Sequence, residues 1–124
     1  MTREVVTVTV DASGNATAYT GHVTGFVRAI RYVPDGTSPL DTGGDVTITA
    51  DASGLPILTI TNIGTSAASY APQQAVVSVA NAAALYAAAG TAVTAPIPVS
   101  AERIKLVVAQ GGNAKTGVFH IYVG

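Results

Sequence analysis

The sequence contains no cysteine and no tryptophan. Without cysteine there are no disulfides, thiolate metal sites or cysteine nucleophiles. Charge is also scarce. Only 10% of residues are charged, against about 25% in an average soluble domain, and six basic and seven acidic residues leave a formal net charge of −1. A nucleic-acid binder carries a basic stripe, and this balance provides none. Disorder requires low hydrophobicity and high net charge, whereas 48% of these residues are hydrophobic. No apolar run approaches the roughly 20 residues of a spanning helix, so no membrane partner is expected. Met1-Thr2-Arg3-Glu4 leads directly into Val5-Val6-Thr7-Val8 without the layered pattern of a signal peptide. The expectation is a chain made in the cytoplasm.

Residues suited to catalysis or metal binding are equally sparse. The two histidines, His22 and His120, lie far apart, and a zinc site needs three or four ligands. Asp35, Asp41 and Asp45 sit among glycines but lack the twelve-residue calcium-loop spacing. No Gly-x-Ser-x-Gly elbow is present. Gly111-Gly112-Asn113 is not followed by the Gly-Lys-Ser/Thr of a phosphate loop. The two glutamates each adjoin an arginine, as Arg3-Glu4 and Glu102-Arg103, which disfavours a carboxylate pair for glycoside chemistry. The reading is a non-enzymatic protein with no catalytic residue, cofactor or metal.

What is abundant is alternation. The 124 residues predict one domain, residues 1–124. For 12.4 kDa, size scaling gives a folded surface of about 6,100 Å², enough burial for a core without staples. Val6, Val8 and Val10 alternate with Thr7 and Thr9. The same period recurs over Phe26–Val33, Asp45–Ala50, Leu58–Thr61, Arg103–Ala109 and Val118–Val123. Alternating β-branched residues favour half-buried strands. Phe26, Ile30 and Tyr32 are expected on one face, with Val27, Ala29 and Val33 on the other. Ile48, Ile60, Ile104, Leu106, Phe119 and Ile121 are expected in the core.

The tetrapeptide Asp-Ala-Ser-Gly occurs twice, at Asp11–Gly14 and Asp51–Gly54. Asp bonds to its own backbone and Gly supplies positive φ, so both read as hairpin turns. Gly111–Gly117 reads as a hairpin tip joining the last two strands. Ala80–Gly90 breaks the pattern: it is alanine-rich and ends in glycine, as a helix of two or three turns or a tight loop at a sheet edge. The fold class is therefore all-β, an antiparallel β-sandwich of seven to nine strands with one short helix or loop insertion.

A family resemblance enters on particular residues. Arg31-Tyr32, Gly44–Thr49, Ser53-Gly54 and Thr61-Asn62 are followed by Ala84–Gly90, Pro96-Ile97, Glu102–Lys105 and Ala109–Gly117. In this order they resemble a family of small tailed-bacteriophage virion proteins, over roughly Gly25 to Gly124. The family pattern has a basic residue after the Tyr-x-Pro segment, where this chain has Gln73. The resemblance implies a jelly-roll-like capsid decoration, or cement, protein on the capsid exterior of the virion. Its implied partners are the phage major capsid protein and further copies of itself, as a dimer or trimer. The alternatives are a head-tail connector or tail component and, from a different class, a small carbohydrate-binding sandwich, against which the absence of tryptophan counts.

The candidate interface has two parts. One is an N-terminal arm, residues 1–9, presenting Val6 and Val8 for strand pairing. The other is the nearly charge-free stretch Tyr70–Gly90, with Tyr70, Gln73, Leu85 and Tyr86 as its contact residues.

Overall fold

The computed structural model describes residues 1–85 and 90–124. Eight strands follow one another: β1 (Thr2–Thr9), β2 (Ala16–Pro34), β3 (Asp45–Ala50), β4 (Pro56–Ile60), β5 (Ala68–Tyr70), β6 (Gln73–Ala75), β7 (Thr94–Ala109) and β8 (Thr116–Val123). All their pairings are antiparallel. The main path runs β1-β8-β2-β7-β3-β4, with β5 beside β2 and β6 beside β7. This is the expected all-β antiparallel class, and the arrangement is consistent with a jelly-roll-like sandwich.

The 19-residue β2 is what folds the sheet over its core. Its first part pairs with β7, from Ala16↔Val108 to Val27↔Ile97. Its second part pairs with β8, from Val27↔Val123 to Pro34↔Gly117, and with β5 on its other side. The register shifts twice along the β7 pairing, between Tyr19/His22 and Val23/Gly25. Strands change sheets at such irregularities. Gly25 has φ +138, and a Cβ there would stand 3.2 Å from the Cα of Gly124. Only glycine fits that backbone and that approach.

One core lies between the two halves. Val6, Val8, Ile30, Tyr32, Phe119 and Ile121 come from the β1-β8-β2 half; Val46, Ile48, Ile60, Ile104 and Leu106 come from the β7-β3-β4 half. All six residues expected to be buried are buried. The surface of 6520 Å² is close to the scaling value.

Three expectations are corrected. First, β7 and β8 do not form a hairpin. β2 lies between them, so Gly111–Gly117 crosses from one half to the other. Second, the two identical tetrapeptides diverge. Asp51–Gly54 closes a hairpin, because β3 pairs with β4. The Asp11–Gly14 turn is locally just as tight, with the Asp11 N–H bonded to the Asn15 carbonyl at 3.0 Å. Yet β1 goes on to pair with β8, and β2 pairs first with β7. Third, Phe26 does not share a face with Ile30. The β2–β8 register shifts between Val27 and Ala29, so Val27 and Ile30 both turn inward while Phe26 stays exposed. One extra residue reverses the alternation. Of the two forms expected for Ala80–Gly90, a short helix or a tight loop, the described part takes the loop, and residues 86–89 lie outside the described residues. Ala80–Leu85 forms a turn and isolated bridges.

Candidate functional surface

Between β5 and the main body of β7 the described residues, 73–85 and 90–96, form a narrow ribbon at the edge of the core. β6 pairs with the start of β7, Gln73↔Pro96 to Ala75↔Thr94. Three passes of chain then bind one another through single backbone hydrogen bonds. Val76 N–H donates to Val93 O at 2.9 Å, Ala84 N–H to Val76 O at 2.8 Å, and Val93 N–H to Ala84 O at 2.9 Å. The tip turns at Ser78–Asn81, with Ser78 N–H donating to Ala82 O at 2.8 Å and Asn81 at φ 60.

The sequence accounts for a ribbon here in place of a helix or a broad sheet. Alanine supplies little side-chain area to bury against a sheet, and only Val76 and Ala84 between Gln73 and Leu85 are even half-buried. Val77, Val79 and Leu85 are exposed, Val79 fully so. The ribbon belongs to a run from Ala52 to Ala101 that contains no Asp, Glu, Lys, Arg or His. A soluble chain ordinarily breaks exposed apolar residues with charge. Exposed, uncharged and apolar together, these residues make the ribbon the candidate interaction surface.

The expected interface residues divide between opposite sides of the sheet. Gln73 and Leu85 lie on the ribbon and are exposed. The Gln73 side-chain oxygen accepts a hydrogen bond from the Thr94 hydroxyl, tying β6 to β7. Tyr70 lies at the root of the ribbon on β5, opposite Ile30 and packed against the core. Tyr86 lies outside the described residues. Val6 and Val8 do not belong to the surface, which corrects the free-arm expectation. They are 6% and 1% exposed and pair with Phe119 and Gly117 on β8. Three strand spacings, about 14 Å, separate β1 from β5. Val77 and Val79 belong to the surface and were not singled out, although the long charge-free run is the signal that marks them.

The rest of the surface explains most of its charged side chains locally. The Asp11 carboxylate accepts from the N–H groups of Ser13 and Asn15. Asp35 accepts from Ser38 at 2.8 Å and Thr37 at 3.0 Å, which holds its carboxyl below the usual range. Asp45 accepts from Asn62. Glu102 caps the Asp51–Gly54 turn through the N–H groups of Ala52 and Ser53. Arg103 pairs with Asp51 at 2.8 Å, with both side chains partly exposed. Among the described residues, no cleft and no group of three metal-ligating side chains is found.

No protein-family model, curated protein or solved structure matches the chain.

Proposed function

We propose that this chain is a non-enzymatic virion structural protein that binds and stabilises the assembled phage capsid, as a decoration protein on its exterior. The observation that supports this reading best is the ribbon: an exposed apolar extension without a formal charge, carried on a fully β body. Together with the resemblance over Gly25–Gly124, it favours a protein that acts by covering a neighbour. Decoration proteins bind the assembled lattice and not the loose subunit, so their binding free energy adds to the assembled state. Many copies of a modest contact sum over a shell. An uncharged contact surface suits this, because desolvating it sacrifices no ion hydration.

The test is co-sedimentation with assembled shells and, separately, with unassembled major capsid protein. Binding to shells alone is the expected result, together with greater resistance of the shells to heat. Equal binding to loose subunits, or no binding to shells, refutes the proposal. Electron micrographs of labelled virions locate the copies: label over the shell supports decoration, and label confined to the neck or tail replaces it with the connector reading.

A further inference from the structure

A second surface differs in character from the ribbon. Residues alternate along β1, β8 and β2, so their outward positions line up in rows across the sheet. One row is Val5, His120, Arg31 and Ser69; the next are Arg3, Tyr122 and Ala29 on one side, and Thr7, Val118 and Val33 on the other. A solvated sheet face is ordinarily rich in polar and charged residues. This one carries three valines, a tyrosine and an alanine, with Val5 52% and Val33 37% exposed. Its charged side chains are Arg3 and Arg31; none of these outward positions is acidic or a lysine. Arg and Tyr enriched over Lys and acids is the composition of an interface. Arg31 is held in place by its hydrogen bond to Ser69 Oγ at 2.8 Å. His120 lies between Val5 and Arg31 with its Nδ1 buried and without a hydrogen-bond partner in the chain.

Charge of the opposite sign is concentrated elsewhere on the same molecule. The loops holding Asp11, Asp35, Asp41 and Asp45 converge on Gly111–Thr116 through backbone bonds. Gly111 N–H donates to Gly14 O, Asp41 N–H to Gly111 O, and Thr116 N–H to Ser38 O. Four of the seven acidic residues therefore share one end of the sheet, with Lys115 as the cation among them.

We infer that the outer face of β1, β8, β2 and β5 is a subunit interface, and that its occupant is the acidic loop end of a second copy of this chain. Both complementary surfaces belong to one protomer but to different places on it, so the contact is heterologous. A two-fold pairing of this face with itself would bring arginines against arginines with no acid to offset them. A heterologous contact that closes makes a ring of three or more copies, not a two-fold dimer. The apolar rows supply the buried area, and the charges set orientation and reject the two-fold alternative. This interface is separate from the ribbon and does not depend on what the ribbon binds.

The test is sedimentation velocity on the purified full chain at about 20 mM and about 500 mM salt, between which the screening length shrinks severalfold. Arg31→Glu and Asp41→Arg are compared singly and combined. Asp41 is chosen because its carboxylate accepts none of the turn-forming hydrogen bonds that hold Asp11, Asp35 and Asp45. Circular dichroism verifies the fold of each variant, and Arg31→Gln with Asp41→Asn provides a milder pair. The expected result is a species of three or more copies at low salt. Each single reversal should weaken it about tenfold or more, and the combined variant should recover most of the loss. A two-fold dimer, a monomer under both conditions, or assembly indifferent to both reversals overturns the inference. Because this readout contains no capsid, its outcome stands apart from that of the shell-binding test.

Discussion

Replacing Phe119 by alanine tests the core directly. Phe119 is fully buried on β8, between Val6 of β1 and Tyr32 of β2. Its ring stands 5.1 Å from that of Tyr32, tilted by 36°. Truncation removes the transfer free energy of a benzyl group and leaves a cavity that both neighbouring strands, fixed by their ladders, resist filling. The expected loss is about 3–5 kcal/mol. The lower end already includes the aromatic pair, worth about 0.5–1.5 kcal/mol beyond area. At about 0.05–0.15 kcal/mol per residue, a chain of this length has a total stability of roughly 6–19 kcal/mol. The variant should therefore fold but unfold at clearly lower urea concentration, with an unchanged slope. The assay is equilibrium urea unfolding followed by far-ultraviolet circular dichroism, with Phe119→Leu expected to lose less than half as much. A loss below about 1 kcal/mol for the alanine variant would place this ring outside a packed core and refute the inward assignment of β8.

Three further outcomes are expected. The Tyr32 hydroxyl is buried with no hydrogen-bond partner of good geometry, although the Leu40 backbone approaches it; burial raises its pKa above the usual value near 10, against the opposing effect of Leu40. Since the folded state favours the neutral phenol, its contribution is present below the unfolded pKa and is lost as pH rises through the folded value. Tyr32→Phe should change stability by less than about 1 kcal/mol at neutral pH, since the lost hydroxyl had no bond to give up, and should reduce the decline seen in alkaline urea titrations. Gly117→Ala should destabilise by about 1–3 kcal/mol, because a Cβ there would lie 2.6 Å from Tyr32 Cε1; a smaller loss in a Tyr32→Ala background, read by a double-mutant cycle, would verify that contact. Leu85→Asp on the ribbon should leave the unfolding midpoint within about 0.5 kcal/mol of the parent while lowering shell binding in co-sedimentation; undiminished binding would put the docking surface elsewhere.

Local chemistry determined much of this molecule. Two-residue periodicity in Val, Ile and Thr was enough to identify the principal strands and to put Ile48, Ile60, Ile104, Leu106, Phe119 and Ile121 inside, because a pleated strand has only two faces and water selects between them. Asp51–Gly54 was legible as a hairpin because its turn chemistry and its strand pairing agree. What tertiary structure decided was which edge meets which. Asp11–Gly14 has the same four residues, yet β1 finds β8 more than a hundred positions away. β7 and β8 are separated by β2, although only six residues connect them. Periodicity specifies a face, not a neighbour, and backbone groups pair equally well with any strand that arrives in register. The bulge beside Arg28 put Phe26 outside and Val27 inside, a shift of parity that follows from pairing with β8 and not from the residues of β2. Val6 and Val8 carried the same ambiguity. Their alternation required an apolar partner, and only the folded chain determined that the partner was its own β8 and core.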